Sequence, residues 1–252
     1  MSCLFQELFL ESPEIFTLFG TKPLSEISMN NASFDKWIEE TEPYLENLSE
    51  KERQNKLKKL KSYCEENQLP SLWDKWMEWI KLHPSKNFLF LKRPTIYENV
   101  FGLCTLNVAE AAWTMQAHYD LFVRELGAPF EPLAMTLEFS NPQSTFWEKI
   151  FTNHLLQGIL FGFGEKNSYF FNLEIQGKLD HPFPSQLIGI ASDSSELPLP
   201  YFRSYSVPPN RDPTIAKYEK ERNEIKDFLS GKDFVEEVIH RIYLEQEKLV
   251  KE

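Results

Sequence analysis

The sequence predicts a mainly α-helical fold: one helical domain with a long proline-rich irregular segment, a few short strands and a C-terminal αα-hairpin. Three observations carry this. Apolar residues recur at helical spacing through most of the 252 residues. Helix starts and stops are written out as capping residues and glycines. Seven of the sixteen prolines fall between residues 177 and 213, where helical period is lost. Residues 1–33 read as an N-terminal appendage, and residues 34–252 as the domain, with 177–212 as a proline-rich surface segment.

Taken in order, Leu4, Phe5, Leu8 and Phe9 give the first residues a helical apolar face. Gly20, Pro23 and the Asn30-Asn31 pair then predict a turn. Ser49 followed by Glu52 is a capping box, and the helix after it has only the narrow stripe Leu57, Leu60 and Cys64. Its lysines and arginines spread around the circumference, which suits a solvated surface helix. From Leu72 to Leu82, Trp73, Trp76, Met77, Trp79 and Ile80 share one broad face that reads as core.

Asn107 as cap, Glu110 three positions on and Gly127 as left-handed stop predict one buried helix over 108–126, apolar on two sides, with Trp113, Ala117 and Leu121 on the second. Ser144 caps a further helix, on which Phe146, Trp147, Ile150, Leu155 and Ile159 recur. Gly158 and Gly162, four apart, predict close approach of another backbone. Short strands are expected near 185–191 and 201–207. Asp212 with Pro213, then Gly231 with Asp233 and Glu236, predict the two helices of the C-terminal hairpin.

Composition narrows the functional classes. A hydrophobic fraction of 42%, with 21 Phe and 6 Trp, supports a filled core. The formal charge of −11 repels a phosphate backbone and argues against nucleic-acid partners. Three separated cysteines without a CxxC pair indicate neither a disulfide framework nor a thiolate metal site. No apolar run reaches the roughly 18 residues of a membrane span, and the acidic start lacks the form of a secretory signal, so a cytoplasmic protein is expected.

Catalytic constellations are sparse. Gly162-Phe163-Gly164 with Lys166 and Ser168 imitates a phosphate-binding turn, but it follows a helix rather than a strand and reads as a helix stop and restart. No HxxxH pair is present, no cofactor is implied and no metal site is expected. Two candidate sites remain. His118, His154, Lys166 and Asn167 could converge on a small-molecule pocket where the central helix meets residues 154–168. Leu197, Pro198, Pro200, Tyr201 and Phe202 form a proline-aromatic string suited to a protein partner.

The strings TLFGTKPLS at 17–25, HYDLFVRELGAPFEPL at 118–133, STFWEKIF at 144–151 and HLLQGILFGFGEKNSYFF at 154–171 resemble a family of uncharacterised proteins from chlamydia-related intracellular bacteria. The resemblance implies a bacterium living inside a host and allows secretion into that host; it implies no activity or catalytic residue. The expected function is that of a non-enzymatic protein-interaction protein. A small-molecule-binding protein or cofactor-free enzyme with a pocket near His118 and His154 is the alternative, and the residues leave catalysis itself open.

Overall fold

The computed structural model describes residues 9–10, 12–30, 45, 48–66, 69–95, 100–179, 184–189, 197–206, 208 and 212–243, with the main chain alone at 30, 59–66, 69 and 70. The apolar face built on Leu4, Phe5 and Leu8 lies outside these residues. The fold is mainly α. Its described residues form two compact units, one from the stretches 28–84 and 92–103, the other from 2–27, 85–91 and 104–252.

In the smaller unit, α2 (Glu50–Glu66) and α3 (Leu69–Leu82) follow one another. Ser49 and Glu52 close the expected capping box, with Ser49 N–H donating to Glu52 Oε2 at 3.0 Å. Trp73 and Trp76 are buried, and Trp76 stacks on Trp79 at 5.1 Å between ring centroids, so the tryptophan face is used for packing. Outside it, Lys92 pairs with Asp74 at 2.8 Å and lies 4.8 Å over the ring of Phe101.

The larger unit starts at α1 (Ile15–Phe19), and the chain then runs out as β1 (Leu24–Asn30), where a turn is expected from sequence. β2 (Phe88–Pro94) and β3 (Val100–Asn107) complete a three-stranded sheet in the order β1-β3-β2. These strands escape a periodicity reading because β3 is buried at consecutive rather than alternate positions, and no Gly or Pro lies between β2 and β3 to announce a hairpin. Asn107 serves both structures: its N–H donates to Pro23 O at 2.9 Å, and its side chain accepts from Glu110 N at 3.1 Å to cap the next helix.

The helix expected over 108–126 is two helices, α4 (Val108–Ala117) and α5 (Tyr119–Leu126), interrupted at His118, where φ is −111° and ψ 25°. The interruption changes the helical phase, so the second apolar stripe never forms a continuous face and Trp113 is 70% exposed. Gly127 ends α5 at φ 78°, the left-handed stop expected there. α6 (Pro132–Leu137) leads through a 3-10 turn to α7 (Thr145–Thr152), capped by Ser144, and α8 (His154–Leu160), capped by Asn153. α9 (Glu165–Ile175) follows Gly164. The main core gathers Leu106, Ala111, Met115, Phe122, Phe139, Trp147, Ile150, Leu156 and Leu160 from these elements.

β4 (Gln186–Ile188) and β5 (Phe202–Ser204) pair antiparallel, with Ile188 opposite Phe202, inside the two stretches expected to hold short strands. Asp212 caps α10 (Pro213–Leu229) by accepting from Thr214 N at 2.9 Å, and α11 (Phe234–Tyr243) follows Gly231. A second core cluster joins Ile15 and Phe16 to Ile188, Phe202, Ile215, Tyr218 and Ile225. Phe16 meets Tyr218 edge-on at 5.3 Å.

Candidate functional site

The segment that resembles a phosphate-binding turn is a helix stop and restart. α8 ends at Phe161; Gly162 (φ 74°) and Gly164 (φ 79°) turn the chain in the left-handed half of backbone space, and α9 begins. The two helices return along each other at Gly158, where an added Cβ would lie 2.6 Å from Ser168 Oγ and 3.3 Å from Ser168 Cα. This is the close approach that the glycine spacing predicts.

The space between α8, α9 and the β4–β5 pair is a cavity of about 310 Å³. Its floor is aromatic, with Phe163 stacked on Phe202 at 5.4 Å and 15° between ring planes. At its mouth Tyr201, Leu187 and Phe171 remain exposed, and His154 meets Phe171 edge-on at 5.9 Å. A network within the fold holds the walls. Asn167 Nδ2 donates to Asp212 Oδ2 and to Phe163 O, both at 2.9 Å, while its Oδ1 accepts from Tyr205 N at 3.1 Å. Ser204 Oγ donates to the same Asp212 oxygen at 2.5 Å. Burial raises the Asp212 carboxyl, but the hydrogen bonds from Ser204, Asn167 and Thr214 outweigh it and leave the pKa below the usual aspartate value. On the rim Arg203 pairs with Glu174 at 2.7 Å, and Tyr205 OH donates to the same carboxylate.

The expected site residues therefore sort by position. His154 and Asn167, expected to bind a ligand, line the cavity together with Tyr201 and Phe202, expected to bind a partner. Asn167 has its amide committed to the fold, whereas His154 has no hydrogen bond or ion pair among the described residues. His118 and Lys166 lie elsewhere: His118 Nδ1 is 3.6 Å from Glu165 Oε2, and Lys166 Nζ donates to Ser206 Oγ at 3.2 Å. In the proline-aromatic string, Pro200 and Phe202 are buried, Leu197 packs on the second core cluster and Pro198 is half-buried, leaving Tyr201 as the side chain presented to solvent.

Two constellations have no counterpart in the sequence reading. Lys22 and Glu14 are both buried beneath α1, with Lys22 Nζ donating to Leu24 O and, at 2.7 Å, to Ser25 Oγ. A cleft of about 680 Å³ runs from Phe19, Gly20 and Thr21 to Lys217, Glu221 and Phe228 on α10, with Glu110 and Arg241 closing one end. A neighbouring cavity of about 480 Å³ shares Gly20, Glu110 and Arg241. Glu221 accepts from Thr21 N at 3.3 Å and Thr21 Oγ1 at 2.5 Å, a reach that an added Cβ on Gly20 would block, lying 2.5 Å from Glu221 Oε2. These residues are scattered over more than 200 positions, and neither spacing nor motif connects them.

Among the described residues no group of three or more His, Cys, Asp or Glu is placed to hold a metal ion, and no helix is long and apolar enough to cross a membrane. The fold and cavity thus define a mainly α protein with an aromatic-lined cavity. No protein-family model, curated protein or solved structure matches the chain.

Proposed function

We propose that this is a non-enzymatic interaction protein whose recognition site is the aromatic cavity of α8, α9 and β4–β5, and that its occupant is a large apolar side chain of a partner protein. One observation carries the reading: Tyr201 (56% exposed), Leu187 (39%) and Phe171 (36%) stay in solvent around a cavity whose aromatic floor is already packed. Exposed aromatics around a preformed hollow, with an arginine at the rim, have the composition of interface hot spots. A floor that needs no rearrangement also lowers the ordering cost of binding. The likeness to proteins of chlamydia-related bacteria supports an intracellular bacterium as the setting, with a bacterial or host protein as the partner.

The test is selection of peptides from a random displayed library on the intact protein. Selected peptides should carry an aromatic or large aliphatic residue, and Y201A/F171A should bind them about tenfold or more weakly, as expected when hot-spot side chains are truncated. Both side chains are exposed, so the variant should melt within a few degrees of the parent. Peptides that bind the variant as well as the parent would refute the proposal.

A second reading, a small apolar ligand, draws on His154 and Gln157, whose side chains line the cavity and make no hydrogen bond to any described residue. A few unsatisfied polar groups in an apolar hollow are the usual furniture of a ligand site. Native mass spectrometry of freshly purified protein separates the two: a retained small molecule supports this reading, and a clean apo mass favours the first.

A further inference from the structure

We infer, resting on the reading of the aromatic cavity as a partner site, that the side chain it takes up is a tryptophan or a tyrosine, with Gln157 and His154 bonding the polar group on the edge of the ring.

The wall that α8 gives the cavity is one helical stripe. His154, Gln157, Gly158 and Phe161 line it at the i, i+3, i+4 and i+7 positions. Gly158 has no side chain, and Ser168 of α9 occupies the space where one would lie, so the polar groups of this wall are the Gln157 carboxamide and the His154 imidazole. Both side chains are half-buried, and neither makes a hydrogen bond or ion pair with any described residue.

The other polar groups around the cavity are engaged. The Asn167 amide is bonded to Asp212, Phe163 and Tyr205. Ser168 Oγ donates to Gly164 O at 2.7 Å, and Arg203 is held by Glu174 at 2.7 Å. The Tyr201 hydroxyl belongs to a side chain that is 56% exposed at the mouth. Unspent hydrogen-bonding capacity is therefore confined to the α8 wall, and the rest of the lining is aromatic and aliphatic.

That distribution selects the occupant. A leucine or phenylalanine filling the cavity would shut water away from Gln157 and His154 and put no hydrogen bond in its place, which is unfavourable. A charged side chain would lose its water without meeting an opposite charge, because Arg203 and Glu174 already pair with each other. Tryptophan and tyrosine join a large aromatic face to a single neutral polar group. The indole N–H can donate to the carboxamide oxygen of Gln157, and the phenol hydroxyl can both donate and accept. A cavity of about 310 Å³ admits either ring. Both are also the residue types that dominate interface hot spots.

The probes are the N-acetyl amides of tryptophan, tyrosine, phenylalanine and leucine, with that of 1-methyltryptophan, which lacks the indole N–H. Each is titrated into the intact protein and followed by backbone amide NMR. Tryptophan and tyrosine should move the amides of Gln157, Gly158 and Phe202. Tyrosine should bind about fivefold or more tightly than phenylalanine, and tryptophan than 1-methyltryptophan, as expected for a hydrogen bond made against one left unmade. Both comparisons use the unmodified protein, so neither depends on a variant folding. Q157L/H154L should bring tyrosine and phenylalanine to within about twofold of each other, and a preference that survives in that variant overturns the inference. Phenylalanine, leucine or 1-methyltryptophan bound in the cavity as tightly as tryptophan and tyrosine also overturns it, and leaves the partner-site reading standing. Shifts outside the cavity, or none, for all five probes overturn both.

Discussion

At position 22 a lysine is shut away from solvent, 3% exposed, over the ring of Phe161 at 5.3 Å, and a glutamate at position 14 is buried near it, 2% exposed. Burial lowers the lysine from 10.5 to about 7, with Glu14 pulling the other way; Lys217 adds to the lowering, while Cys104 and Glu26 oppose it. Burial likewise raises Glu14 from 4.5 to about 7 against the pull of Ser12 and Lys22. Between 4.5 and 7 the folded chain keeps a proton on Glu14 that the unfolded chain has released, so stability falls as pH rises. Between 7 and 10.5 the unfolded chain keeps a proton that folded Lys22 has lost, so stability rises again. The pair therefore contributes a stability minimum near neutrality. Urea midpoints measured from about pH 5 to about pH 9 should show it, with K22M flattening the upper limb and E14Q the lower. Curves for the variants that run parallel to the parent would show that the two groups do not titrate as stated. No sequence rule marks this pair, because nothing local distinguishes Lys22 from the exposed lysines of α2.

Among the elements, the contact of α8 with α9 tests how much a single missing methyl matters. An alanine at Gly158 would place Cβ 2.9 Å from Ser168 Cβ as well as against its hydroxyl, and backbone as near as 3.3 Å leaves little room to yield. G158A should therefore cost about 1–3 kcal/mol in urea denaturation, as overpacking does. S168G should recover part of that loss in the double variant although it removes the bond from Ser168 Oγ to Gly164 O; strictly additive losses would mean the helices do not meet there. This approach was legible, as were the caps Asn107, Ser144 and Asp212, because capping and glycine spacing are local codes. The break at His118 was not, since no Gly or Pro marks it and the apolar spacing runs on through it, so the interruption is decided by what each half packs against. The proline-aromatic string was legible as irregular chain, but sequence did not show that Pro200 and Phe202 face the protein's own core, because irregular chain has no fixed period relating position to face.

For the molecule as a whole, the two units differ in how much they bury. α2 is exposed at most of its described side-chain positions, whereas Leu155, Leu156, Ile159 and Leu160 of α8 are all buried. Native-state hydrogen exchange should then find α2 amides exchanging about tenfold or more faster than those of α8, since local opening is easiest where few apolar contacts oppose it. Equal protection in the two helices would mean that the whole chain opens as one cooperative body. The acidic charge and the lack of a metal-ligand pattern bore on function by exclusion only. The candidate site needed the fold: His154 and Tyr201 are 47 positions apart.

By itself the sequence determined the mainly α class, the helix caps and stops at Asn107, Gly127, Ser144 and Asp212, and the close helix approach at Gly158. Each of these is set by residues within a turn or two of one another, where backbone hydrogen bonding and steric size act directly. Tertiary structure alone decided that Phe88–Pro94 and Val100–Asn107 pair as strands, that His154 and Tyr201 share one cavity, and that Lys22 and Glu14 are buried together. Those outcomes depend on which distant segments exclude water from each other, a property of the packed chain that no local pattern encodes.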